Sequence, residues 1–226
     1  MALIDLSQPY RDGMFSQRLF PPVRVRRCVS IEERGVNVTA LDVCVHHGTH
    51  IDAPLHFIPD GRSAIELGLS EVSGPAVCLQ VRRAGGEAIS AADLEEQAQD
   101  VRPGGIVLID TGWGRYFHED HARYEIHPYL GEDAAAWLVE RGAKMVCLDV
   151  PTPDMPEPLR PAGFDWPVHH RLLGSGTLIA EHLNRLELVA GQRFRLFAFP
   201  LPIEGADGSP TRIVAEVADL AGSPGR

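Results

Sequence analysis

Four histidines and one aspartate crowd into eleven residues, His46-His47-Gly48-Thr49-His50-Ile51-Asp52-Ala53-Pro54-Leu55-His56. Imidazole and carboxylate are the ligand types that zinc, manganese or iron take at catalytic centres. Three protein ligands also leave coordination positions for water and substrate, the arrangement used in metal-assisted hydrolysis. The spacing must still be made to work. On a straight strand, His46 and His50 would stand roughly 13 Å apart, too far for one ion. A helix is excluded by Gly48, by β-branched Thr49 and by Pro54. A tight turn at Gly48 would fold the chain back and let His46, His50 and Asp52 converge. His56 could then be a fourth ligand or a proton carrier near neutral pH. Isolated polar residues are common in strand–turn–strand segments, but this many desolvated groups together would be costly without a purpose. His47 alternates away from His46 and reads as a supporting or surface group.

The elements around the cluster point to a mixed α/β domain. Strand-like runs cover 36–45, 76–81, 105–110, 144–150 and 194–199. Helical patterns open at Ser90, which caps a run including Leu94 and Ala98, and cover 132–142 and 169–173. These helices are too few to cover both faces of every strand. A central mixed sheet or partial barrel with outer helices is therefore expected, as one domain over residues 1–226. The proline-rich stretch 151–167 is too long for an ordinary connection and is either a functional loop or a partner-facing arm.

The net charge of −10 excludes a broad basic face for nucleic acid, since Arg24, Arg26 and Arg27 are too short a cluster. No run of about eighteen apolar residues suggests a membrane span. The start, Met1-Ala2-Leu3-Ile4-Asp5, has no basic region followed by an apolar one, so a cytoplasmic location is expected. The cysteines, Cys28, Cys44, Cys78 and Cys147, have no Cys-x-x-Cys spacing and read as buried free thiols. The run His118-Glu119-Asp120-His121 has the wrong spacing for a zinc protease and reads as surface or as the mouth of a pocket. Ser7, Ser175 and Cys147 lack a nucleophile elbow.

The pattern of His46, Gly48, Thr49, His50, Asp52, Pro54, His56 and Phe57 resembles that of the cyclase family of metal-dependent hydrolases. That group includes bacterial kynurenine formamidase, isatin hydrolase and a trans-dienelactone hydrolase. Asp5-Leu6-Ser7, Thr111-Gly112-Trp113, Leu148-Asp149 with Pro151, and Gly205-Ala206-Asp207-Gly208-Ser209-Pro210 stand in matching order. The resemblance implies one zinc or manganese ion on His46, His50 and Asp52, and a second on Asp52, His169 and Glu181. It implies His56 as the catalytic histidine, a swivelling β/β/α fold, and a homodimer or homotetramer. Where formamidases of the family carry tryptophan near the N-terminus, this chain reads Phe20-Pro21-Pro22.

Hydrolysis of a small amide or ester carbonyl (an arylformamide, cyclic amide or lactone) is the expected activity, on a small-molecule substrate. Phe57 and Trp113 are candidate pocket residues. Three other readings remain: kynurenine formamidase in the strict sense, a metal-dependent isomerase or dehydratase, and a non-catalytic metal-binding protein.

Overall fold

The computed structural model describes residues 1–97 and 101–218. In chain order the elements are β1 (Ala2–Asp5), β2 (Arg24–Val29), α1 (Ile31–Arg34), β3 (Val38–Asp42), β4 (His50–Asp52) and β5 (Ser73–Gln80). These are followed by β6 (Ala88–Ile89), α2 (Ala91–Glu95), β7 (Ile106–Asp110), α3 (His121–Glu125), β8 (Tyr129–Leu130) and α4 (Glu132–Glu140). The last are β9 (Met145–Leu148), α5 (Pro167–Gly174), β10 (Leu178–Glu181), β11 (Arg193–Pro200) and β12 (Gly208–Val217).

The main sheet runs β1-β12-β11-β5-β7-β9-β10-β4, and a further β12–β4 pairing closes seven of its strands into a ring. β12 is long enough to do this. Its first residues, Gly208 to Pro210, pair with β4, while Thr211 to Glu216 pair with β11. β5, β7, β9 and β10 are mutually parallel, and the other ring pairings are antiparallel. The single α/β domain with a barrel-like mixed sheet is the architecture expected from the sequence.

Side-chain alternation divides the core in two. One cluster takes residues from every ring strand, among them Ile51, Cys78, Leu108, Cys147, Ala180, Leu196 and Ile213, and fills the barrel. The other takes the opposite positions, such as Leu79, Ile109, Leu148 and Ile179. There it meets Leu94 of α2, Leu138 of α4 and Leu172 of α5. β7 and β9 are buried at every position, which is why they read as continuous apolar runs.

Several expectations need adjustment. The 36–45 run is strand only over β3, and it pairs with β2 in a separate two-stranded ribbon. The residues of that ribbon are largely exposed, so apolar alternation there does not mark the main core. Ser90 caps α2 as its spacing predicts, with Asp93 N–H donating to its hydroxyl at 3.3 Å; Ala98 lies outside the described residues. Cys78 and Cys147 are buried, but Cys28 is exposed on the ribbon and Cys44 is only partly covered. No helix among the described residues is long and apolar enough to cross a membrane.

Candidate metal centre and active site

β4 is the three-residue strand that carries the histidine motif, flanked by β10 and β12. Ile51 points into the barrel, so His50 and Asp52 emerge on the outer face. The antiparallel register sets Glu181 of β10 opposite His50, which brings those side chains onto the same face. α5 packs over that face and supplies His169. β4, and the α5–β10 segment more than a hundred residues later, thus deliver four polar side chains to one buried spot.

The reversal at Gly48 is real. Gly48 adopts φ +61°, and a Cβ there would lie 2.9 Å from Met14 Cε. The turn carries the chain from His46 to His50 so that both rings reach one atom: Asp52 Oδ1 lies 2.8 Å from His46 Nδ1 and 3.2 Å from His50 Nε2. Gly208 completes the arrangement, because a Cβ at that position would fall 2.6 Å from His46 Cε1. Any larger residue would push the imidazole aside.

Ring orientation follows from the partners behind each histidine. His50 Nδ1 faces the Gly48 carbonyl at 2.8 Å, and a carbonyl only accepts, so Nδ1 carries the proton. His50 Nε2 therefore turns a lone pair toward Asp52 and toward Glu181 Oε2 at 3.4 Å. His169 repeats the device. Its Nδ1 donates to Asp154 Oδ2 at 2.6 Å, and its Nε2 faces Asp52 Oδ2 at 3.6 Å and Glu181 Oε1 at 3.4 Å. His50 Nε2, Asp52 Oδ2 and Glu181 Oε1 are buried atoms with no hydrogen-bond partner among the described residues. Lone pairs facing carboxylates repel, and buried unpaired acceptors are expensive. Positive charge must enter the cluster, as protons or as a cation.

The electrostatics agree. Burial opposes a charged His46, yet Asp207 and Asp52 outweigh it and push its pKa up to about 10. Burial likewise opposes charge on His169, but Asp154, Asp52 and Glu181 hold its pKa well above the ordinary value. Burial and the neighbouring Asp52 carboxylate raise Glu181. Asp52 is held low despite its own burial, because His169, His46 and His50 all contact it. The donor set suits a divalent cation. Asp52, His169 and Glu181 bring ligand atoms within 4.8 Å of one another, as do His50, Glu181 and His182, and His46, Asp52 and His56.

His56 stands at the edge of the cluster, on the 3-10 turn Pro54–His56. It stacks on His46 with ring centroids 4.0 Å apart. Asp207 Oδ2 joins the two rings, at 2.9 Å from His46 Nε2 and 3.0 Å from His56 Nδ1. Contact with these two histidines pulls the Asp207 carboxyl far below the usual carboxylate range. A cleft of about 470 Å³ opens over His46, His56, His169 and Glu181, within the range of about 300–1,000 Å³ for small-molecule sites. Phe57 lines it and stacks on His169 at 4.3 Å between centroids. The stretch 151–167 forms one wall of this cleft.

Of the two pocket candidates, only Phe57 reaches the cleft. Trp113 packs in the core, and its indole N–H donates to the Arg123 carbonyl at 3.2 Å. Its large apolar ring is better satisfied there than at the mouth. His47 is buried rather than at the surface, accepting from Cys44 N–H at 2.9 Å and contacting Ser16 Oγ at 2.9 Å.

Sequence reasoning gave no role to Asp207, Asp154 or His182. Asp207 sat in plain view in a glycine-flanked run, but only the β12–β4 pairing sets it beside His46. Asp154 accepts from the backbone N–H groups of Val168 and His169 as well as from the imidazole, a bond pattern with no local spacing signal. His182 lies behind the cluster, 2.9 Å from the Tyr124 hydroxyl.

Comparison with known proteins bears on the family and the fold. A family profile described as putative cyclase matches residues 4–155. Kynurenine formamidase of Bacillus cereus strain ATCC 14579 is 34% identical over 213 residues, covering 93% of this chain and 95% of that one. The enzyme of the same name from Bacillus thuringiensis strain Al Hakam is 33% identical over the same span. Among solved structures, isatin hydrolase A from Labrenzia aggregata superposes with a TM-score of 0.84 at 21% identity, over 96% of this chain and 94% of that one. A potential metal-dependent hydrolase with cyclase activity superposes at 0.76 with 26% identity, over 95% and 96%. On family profile, full-length relatives and fold together, the chain belongs to the cyclase family and is a hydrolase.

Proposed function

We propose that this enzyme hydrolyses the amide of a small aryl formamide, or a related cyclic amide or ester, at a divalent-metal centre held by His46, His50, Asp52, His169 and Glu181. One observation carries the reading: the Nε2 lone pairs of His50 and His169 face the carboxylates of Asp52 and Glu181 without an intervening donor. When bound, a divalent cation such as zinc or manganese supplies Lewis acidity to a carbonyl oxygen and makes water acidic enough to attack near neutral pH. One or two ions fit, since Asp52 has an oxygen toward each half of the cluster.

His56 moves the proton. Asp207 accepts from its Nδ1, which fixes the tautomer and leaves Nε2 free as a base. That nitrogen takes a proton from the attacking water and returns it to the leaving nitrogen or oxygen, a role worth about a hundredfold to ten-thousandfold in rate. Phe57, Trp166 and Phe20 line the cleft and suit a planar ring beside the reacting carbonyl. The N-terminal region in which formamidases of the family carry tryptophan here contributes Phe20 to the cleft wall, so the ring at that wall bears on substrate choice.

We further propose a homodimer or homotetramer, since Leu3, Leu41 and Leu201 are more than half exposed, and a cytoplasmic location. Light scattering and cell fractionation test these. The activity itself is tested with N-formylkynurenine, isatin and a dienelactone in heavy-oxygen water. Label in the product acid is the expected result. Turnover without label would make the enzyme an isomerase or dehydratase, and absence of turnover in metal-loaded protein would leave a binding protein.

A further inference from the structure

Arg160 stands in the loop wall of the cleft, facing the same space as His169 and Glu181. Its Nε donates to the Met155 carbonyl at 2.8 Å, which fixes the plane of the guanidinium. Its central carbon lies 5.1 Å from the centroid of Phe164 and 5.2 Å from that of Trp166, so two aromatic faces brace it as well. Among the described residues no carboxylate lies within 4.0 Å of it. This sets it apart from Arg18, Arg62, Arg82, Arg83, Arg141 and Arg212, each of which has a carboxylate partner. Asp154, Glu157 and Glu181 act on it only through space, and burial, its largest influence, lowers its pKa. An oriented, half-buried guanidinium without a carboxylate partner thus stands in the wall of the cleft.

We propose that Arg160 reads a carboxylate on the substrate, so that the preferred substrates are aromatic amides bearing an anionic group rather than neutral ones. A guanidinium binds a carboxylate through two parallel N–H···O bonds. In a chain of net charge −10, with Asp52, Glu181 and Asp207 around the reacting centre, an anionic substrate needs a dedicated cation to enter. The braced position supplies it without further ordering of the side chain. Phe57 and Trp166, 6.1 Å apart between ring centroids, lie between this cation and His169 and would take the aromatic ring. The inference rests on the proposed hydrolysis but can be separated from it.

The test compares wild type with Arg160→Met, which keeps the length and loses the charge, and Arg160→Lys, which keeps only the charge. Substrates are N-formylanthranilate and N-formylkynurenine against neutral formanilide. The expected result is a rise in KM of about 30-fold in Arg160→Met for at least one carboxylated substrate, the scale of a lost charged hydrogen-bond pair. Its kcat should hold within about twofold, formanilide kinetics should be unchanged, and Arg160→Lys should recover part of the loss. Equal losses on all three substrates, or no loss, would overturn the proposal. Binding of anthranilate and kynurenine against aniline, measured by calorimetry on the same metal-loaded proteins, supplies a readout free of turnover. Arg160-dependent binding of either carboxylate without turnover would retain the subsite and sink the hydrolase reading. Turnover with carboxylate binding indifferent to Arg160 would do the reverse.

Discussion

Asp154 offers the sharpest perturbation, because it lies outside the cleft and is nonetheless tied to the proposed metal centre through His169. Its Oδ1 accepts from Val168 N–H at 3.0 Å, and its Oδ2 accepts from His169 N–H at 3.1 Å and His169 Nδ1–H at 2.6 Å. It therefore caps α5 from outside, where Trp166 supplies no side-chain cap, and it sets the tautomer of His169. In Asp154→Asn one oxygen becomes an NH2 group. If that group replaces Oδ2, it meets two donors; His169 must then move its proton to Nε2, and the lone pair toward Asp52 and Glu181 is lost. Loss of a partner behind a metal-bound histidine typically lowers affinity about 10–100-fold, or about 1.4–2.7 kcal/mol. A weakened cap adds a stability cost of about 1 kcal/mol. Calorimetric titration of zinc or manganese into stripped protein measures the first, and urea unfolding the second. His170→Ala is the control, since His170 is exposed on the same helix and should leave affinity unchanged. Unaltered affinity in Asp154→Asn, or an equal loss in His170→Ala, would refute the reasoning.

Other expectations follow from the same geometry. His56→Ala should lower kcat about 10²–10⁴-fold with metal content unchanged; Asp207→Asn should cost less, and the double variant no more than His56→Ala alone, because the two act as a unit. Additive losses in the rate measurements would break that link. Gly48→Ala forces a side chain into φ +61° against Met14 and should destabilise the fold by about 1–2 kcal/mol, read as a lower midpoint in thermal unfolding. His127 is buried, and that burial lowers its pKa from 6.5 to about 4. Its contribution is thus fully present above about pH 6.5 and lost as pH falls toward 4, where the unfolded chain gains a proton the fold refuses. At about 1.36 kcal/mol per pH unit, the loss reaches about 3 kcal/mol. Urea unfolding at pH 7 and pH 4.5 should show a smaller pH effect in His127→Gln than in wild type.

Much of the site was legible because its constraint is local. Gly48 between His46 and His50 demanded a reversal, and the reversal is there. The parallel strands β7 and β9 were legible for a similar reason, being short apolar runs bounded by turns. β4 and β10 were not: His50–Asp52 and Leu178–Glu181 are too short for any period to emerge, and pairing across the barrel defines them. The same is true of Asp207, which reaches His46 only through the β12–β4 ladder, and of Asp154, which reaches His169 from the far end of a loop. Glu181 and His169 were assigned from family resemblance. Register explains one of the two, since Glu181 lies opposite His50 across a ladder no sequence window contains. From sequence Trp113 suits a pocket wall and a core equally well, and packing places it in the core.

In the proposed reaction a divalent cation, gathered by His46, His50, Asp52, His169 and Glu181, is required for hydrolysis. Turnover of N-formylkynurenine by chelator-stripped protein, before and after stoichiometric zinc or manganese is restored, tests it most directly. Stripping should abolish turnover and reloading should restore it, with no recovery in His50→Ala. Undiminished turnover by protein shown to be free of metal would contradict it.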